Sequence, residues 1–134
     1  MTSNFSEPLY KHPDLFVAPC EFGQGVFTRE PLPSNTTLEE CHHLRLRSNE
    51  CEGMLNDYVY GLEPDENDDV EYFSLPLGFG SIFNHADDHN TEYWHDVTRE
   101  LIIFYTIKNV AAGEQLFINY GNNWWEERGI QPDS

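Results

Sequence analysis

Positive charge is what this sequence has least of. Its 134 residues carry 7 Lys and Arg against 24 Asp and Glu, a formal charge of −17. Phosphate recognition needs clustered Lys and Arg, so direct nucleic-acid binding is not expected. An acidic field instead attracts and steers basic partners such as lysine-rich protein segments, although the same charge also serves solubility. Cysteine is scarce as well. Cys20, Cys41 and Cys51 are odd in number and form no CxxC pair. That speaks for reduced thiols in an intracellular protein, cytoplasmic or nuclear, and against a disulfide framework or a cysteine-rich zinc cluster. Long apolar runs are missing too: the longest, Leu101 to Tyr105 (LIIFY), is far short of a membrane span. The opening MTSNFSEPLYKHPD shows no basic segment leading into an apolar one, so no secretion signal is expected there.

What is present suits one folded domain. Apolar residues make up 39% and aromatics 14%, enough for a core and too much for a disordered chain. Residues 1–13 read as a loose polar arm. Leu15-Phe16-Val17 and Gly25 to Thr28 read as strands, Pro31 to Asn35 as a turn, and Thr36 to Leu46 as short strand-like pieces. Met54 to Leu62 fits a brief helix or a strand equally. Glu63 to Glu71 is acidic enough to be a solvated loop and lacks calcium-loop spacing. Leu101 to Ile107 predicts a buried strand. Gln115 to Tyr120 predicts another, with Leu116, Ile118 and Tyr120 on one face and Gln115, Phe117 and Asn119 on the other. Trp124 to Arg128 reads as a helical turn. Short strands punctuated by Gly and Pro make this a mainly β domain.

Three stretches carry candidate chemistry. Gly23-Gln24-Gly25 allows positive φ and close approach of backbone to a ligand, yet it is not a dinucleotide fingerprint, since Thr28 stands where the third glycine belongs. Asn84-His85, after the glycine-rich LGFGS, offers donors, acceptors and a stacking ring. Tyr120, between a strand and Gly121, ends either in core or with its hydroxyl in a cavity. A metal reading would gather His85, Asp87, Asp88 and His89 with His95 and Asp96. No helical pattern puts His85 and His89 on one face, and along a strand they lie about 13 Å apart. No metal site is therefore assigned from the sequence.

Taken in order, GQGVFTREPLPSNT, LGFGSIFNHADDHNTEYW and FYTIKNVAAGEQLFINYG resemble the SET-domain protein lysine methyltransferases, especially the small stand-alone members. The resemblance covers residues 14–125, leaving 1–13 as an arm and 126–134 as a tail. It implies a fold of small β-sheets around a C-terminal pseudoknot, with few short helices, in which the segment carrying Tyr120 passes beneath the loop of Asn84 and His85. It implies methyl transfer from S-adenosylmethionine to a lysine amine of a basic protein such as a histone or histone-like tail, with neither nucleic acid nor membrane as partner. Gly23, Gln24, Gly25, Asn84 and His85 then contact the cofactor and Tyr120 positions the amine. No zinc-binding cysteine tail follows Tyr120, and Trp124 and Trp125 stand in its place to cap the cofactor, with Trp125 the nominated contact, to close the lysine channel or to dock the C-terminus on the core. Tyr58, Tyr93, Ile118 and Tyr120 line the lysine channel, with Tyr60 an alternative to Tyr58.

The wording also departs from the family pattern. Ala86 stands where Ser is usual, His89 where Pro is usual, and Glu39 to His43 (EECHH) lacks a tyrosine that many relatives carry. These departures leave open an alternative, a catalytically silent SET-like module that binds a basic peptide or partner protein.

Overall fold

The computed structural model describes residues 9–21, 23–62 and 70–119. Nine strands run in chain order: β1 (Leu15–Cys20), β2 (Gly23–Thr28), β3 (Thr37–Arg47), β4 (Tyr60–Gly61), β5 (Tyr72–Pro76), β6 (Asn84–His85), β7 (Thr91–Asp96), β8 (Leu101–Thr106) and β9 (Gln115–Ile118). They form two sheets, one ordered β1-β2-β9-β6 and the other β4-β5-β3-β8-β7. Only three short 3-10 turns, each of three to five residues, break the strands among the described residues. The mainly β expectation holds.

The five-stranded sheet is built around β8. Leu101, Ile102, Ile103 and Phe104 are all buried, because β8 lies between β3 and β7 and is covered on both faces. That is why an unbroken apolar run, rather than an alternating one, marks this strand. β3 is a single strand of eleven residues, not the short pieces its mixed sequence suggests. A register shift between Thr37 and Glu39 lets it pair with β8 and continue. Met54 to Leu62 divides into a 3-10 turn (Gly53–Asp57) and the two-residue β4.

Three strands are absent from the sequence reading: β5, β7 and the two-residue β6. β5 ends in a proline and β7 (TEYWHD) is mostly polar, so neither shows a strong apolar pattern. Both still alternate correctly for a half-buried strand: Ser74 and Pro76 are buried in β5, and Thr91 is buried two residues before the partly covered Tyr93 in β7.

The four-stranded sheet is smaller and differently made. β1 and β2 pair over six residues, but β2 meets β9 only at Val26↔Leu116 and Phe27↔Gln115. β6 then lies parallel to β9, Asn84 opposite Phe117 and His85 opposite Ile118, against antiparallel pairing for every other strand pair. This parallel contact is the described part of the expected crossing; Tyr120 lies outside the described residues. One core cluster draws on both sheets, with Val26, Leu116 and Ile118 from one and Leu38, Ile102 and Phe104 from the other. Each such side chain contributes about 1.5–3 kcal/mol on burial.

Residues 9–13 are not a loose arm. His12 N–H donates to Leu38 O (2.8 Å), Glu40 N–H to Tyr10 O (2.8 Å), and Lys11 bridges to Glu39. The LGFGS segment is equally constrained. A Cβ on Gly80 would sit 2.6 Å from a Phe104 ring carbon and 2.8 Å from Pro76 Cβ. Only glycine lets this turn press onto β8.

Candidate active site

The three candidate stretches converge on the edge of β9. Because β9 stops pairing with β2 at Val26, the backbone of Gly23 to Gly25 meets Asn84 instead. The Asn84 amide donates to Gln24 O at 2.9 Å and to Gln115 Oε1 at 2.9 Å, with Cys20 Sγ at 3.5 Å. Residues 60 positions apart thus share one amide group. An added Cβ on Gly25 would lie 2.5 Å from Gln115 Oε1 and 3.2 Å from Cys20 Sγ, so a larger residue there would displace the Gln115 side chain. Gly23, at φ 105°, is held to glycine by conformation. Gly23 and Gln24 are exposed and Gly25 is buried, so the turn presents backbone, with little side chain, to an incoming molecule.

His85 sits behind this edge with its side chain 5% exposed, and its Nε2 lies 3.0 Å from Asp87 Oδ1. Its backbone runs against Ile118, and Ala86 N–H donates to Ile118 O at 3.1 Å. Asn90 closes the loop. Its Oδ1 accepts from Phe117 N–H (2.8 Å) and Thr91 Oγ1 (3.0 Å), its Nδ2 donates to Gln115 O (3.0 Å), and its own N–H donates to Phe117 O (3.2 Å). One buried side chain therefore satisfies Gln115 O and Phe117 N–H along an edge of β9 where no strand does. How many groups Asn90 holds is not evident from its residue type.

The departures from the family wording now have surroundings. His89 Nε2 lies 2.6 Å from Glu92 Oε1 and its Nδ1 lies 3.3 Å from Asp87 O, while Lys108 pairs with Asp88. His85 and His89 each have a carboxylate partner of their own, and the loop's acids and histidines are not gathered around one point. Glu39, in the EECHH stretch, is 4% exposed. Its carboxylate accepts from Phe79 N–H (2.9 Å) and the Cys41 thiol (3.1 Å) and pairs with Lys11 (3.1 Å). Burial and then the Glu39 charge push the Cys41 thiol well above the usual thiol range. This glutamate fills space and satisfies backbone beneath the LGFGS turn.

Of the expected channel residues, Tyr93 packs at a tilt against Tyr60 (ring centroids 4.9 Å apart) and its hydroxyl donates to Gly61 O at 3.0 Å. Burial, and then the charge on Glu92, pushes that hydroxyl above its ordinary value, so it stays a donor. Tyr60 is buried, and its hydroxyl donates to Gly80 O at 2.8 Å. Tyr58 is 45% exposed, and it is Tyr60 that meets Tyr93. Ile118 is fully buried in the core cluster. Tyr120, Trp124 and Trp125 lie outside the described residues. Gln115 and Cys20 meet the Asn84 amide at this edge, and the sequence does not single them out. The available signal was Gln115's place on the more open face of β9, beside Phe117.

Comparisons with known proteins agree with this geometry. The SET domain family model matches residues 23–121. A Schizosaccharomyces pombe protein named "Histone-lysine N-methyltransferase, H3 lysine-37 specific" is 35% identical over 111 residues, covering 78% of this chain and 71% of that protein. A crystal structure of a candidate histone methyltransferase from Plasmodium falciparum superposes with a TM-score of 0.66 at 28% identity, covering 85% of this chain and 98% of that one. The ordered motifs, the parallel β6–β9 contact and these matches lead to one conclusion: the chain belongs to the SET-domain family of lysine methyltransferases.

Proposed function

We propose that the protein transfers a methyl group from S-adenosylmethionine to the ε-amine of a lysine in a basic protein, of the histone or histone-like kind. The observation that carries this reading is the Asn84 amide bonded at once to the Gln24 carbonyl and to Gln115 on β9. It draws the glycine turn, the Asn-His strand and the strand leading to Tyr120 to one edge.

The residues present fit the cofactor. Gly23 and Gln24 present exposed backbone at this edge, and the Asn84 amide and His85 backbone place directed polar groups beside it. When bound, S-adenosylmethionine supplies an electrophilic methyl group on a sulfonium centre. The chain's residues then hold, orient and exclude water. Lysine, with a free pKa of about 10.4, must be neutral to attack, and an apolar aromatic channel disfavours the ammonium form. Tyr60 and Tyr93 suit such a wall, because their hydroxyls are tied to backbone carbonyls and their rings cannot swing. Tyr120 positions the amine, an orientation effect that needs no strong base. The net charge of −17 favours encounter with a basic segment. A histone-like substrate sets the reaction in the nucleus or cytoplasm.

Incubation with isotopically labelled cofactor and a panel of lysine-rich proteins tests the proposal. The expected result is label on lysine in at least one of them. Peptide binding without transfer would instead identify a silent module.

A further inference from the structure

A second cluster lies away from the Asn84 edge, on the five-stranded sheet. Cys41 on β3, Ile102 on β8 and His95 on β7 stand opposite one another across three strands. His43 is two residues beyond Cys41 and Glu100 two residues before Ile102, so His43, His95 and Glu100 share one face. Both His43 Nε2 and His95 Nε2 lie 2.9 Å from Glu100 Oε2, and the three atoms fall within 4.8 Å of one another. The two rings meet edge to face with centroids 5.1 Å apart.

We propose that His43, His95 and Glu100 form a binding site for a borderline divalent transition-metal ion such as Zn²⁺. Two imidazole nitrogens and one carboxylate oxygen are the donor set that suits such an ion, with a fourth position left for water. Bonds of about 2.0–2.1 Å at tetrahedral angles put donors about 3.3 Å apart. The two nitrogen–oxygen separations need open only slightly to reach that distance. The His43 side chain is 2% exposed and Glu100 is 49% exposed, so the site has a buried wall and an open mouth.

The surroundings prepare the ligands. His43 Nδ1 lies 2.7 Å from the buried Ser74 Oγ. A hydroxyl accepts as readily as it donates, so Ser74 supports the tautomer in which Nε2 carries a lone pair toward a metal. Glu100 has φ 53°, a left-handed conformation in the turn between β7 and β8 that is uncommon outside glycine. That turn directs its carboxylate back over the sheet. Arg45 Nη1 approaches the other carboxylate oxygen, Oε1, at 3.8 Å and leaves Oε2 to the histidines. A bound ion would tie the β7–β8 turn to β3, which the ladder does not reach beyond His42↔Leu101. Its role is that of a clamp on the sheet, distinct from methyl transfer.

The test uses the full chain, freed of metal by chelation, with Zn²⁺ or Co²⁺ as the probe. Calorimetry should show one equivalent bound per chain, Co²⁺ should give visible ligand-field bands, and Zn²⁺ at about a hundredfold over Kd should raise Tm by several degrees. His95→Gln and Glu100→Gln, at the partly exposed ligands, should each weaken binding at least tenfold and remove the Tm shift, with circular dichroism reporting that both remain folded. His89→Gln should bind as wild type does. Absence of stoichiometric binding in wild type, or unchanged affinity in the His95 and Glu100 variants, would overturn the proposal. If either variant fails to fold, His95→Asn with the same measurements decides in its place. None of these readouts depends on methyl transfer, so the outcome is separable from the proposed function.

Discussion

The two sheets hold themselves together in different ways. In the five-stranded sheet, β3, β8 and β7 run side by side over five or six pairs, and β8 is buried on both faces. In the four-stranded sheet, β9 shares two pairs with β2 and two with β6, and side-chain amides complete what the ladders leave unpaired. Both contribute to one apolar core, and the second adds a few directed side-chain hydrogen bonds along β9. Substitutions in the core and along that edge should therefore have different effects.

Phe104→Ala in the first sheet should be the most damaging, costing about 3–5 kcal/mol by denaturant unfolding, since a fully buried ring packed on Phe83 and Gly80 is lost. A cost below 1 kcal/mol would mean the core is not centred there. Tyr120→Phe should lower turnover by about a hundredfold, through lost orientation of the amine, while cofactor affinity by calorimetry stays the same. Lost cofactor affinity would reassign that tyrosine. Asn90→Ala should cost about 2 kcal/mol, because Phe117 N–H and Gln115 O lose their partners, and should also impair activity. Asn84→Ala should weaken cofactor binding about tenfold while shifting stability by less than about 1 kcal/mol, its bonds lying at a more open edge. If Asn84 and Asn90 behaved alike, the distinction between cradle and brace would fall.

The smallest effect is one of reactivity. Cys20, half-buried in β1, should react with an alkylating reagent in the native protein. Cys41, buried in β3 and hydrogen-bonded to Glu39, should react only on unfolding, because burial and the adjacent carboxylate keep it a thiol. Peptide mapping after brief labelling at pH 8 checks the order.

Sequence reading was strongest where one residue type leaves few choices. LIIFY had to be a buried strand, and Leu116 and Ile118 had to share an inner face. It was weakest where structure depends on partners far along the chain. β5 and β7 carry polar and proline residues that become strand only beside β3 and β8. The contact of Asn84 with Gln24 follows from β6 meeting β9 just beyond the point where β2 stops pairing with it, which no local pattern encodes. The histidines make the same point. His85 and His89 stand close in sequence and pair with separate carboxylates, whereas His43 and His95, on different strands, turn toward one carboxylate.

The hold of Lys11 on Glu39 has a consequence for dissecting the protein. The family match opens at residue 23, and a fragment cut there would look complete by homology. It would lack β1, the backbone rungs from Tyr10 and His12, and the ammonium group that balances a carboxylate sealed beneath the LGFGS turn. An expression fragment that keeps these contacts therefore begins upstream of Tyr10, outside the segment by which the family is identified.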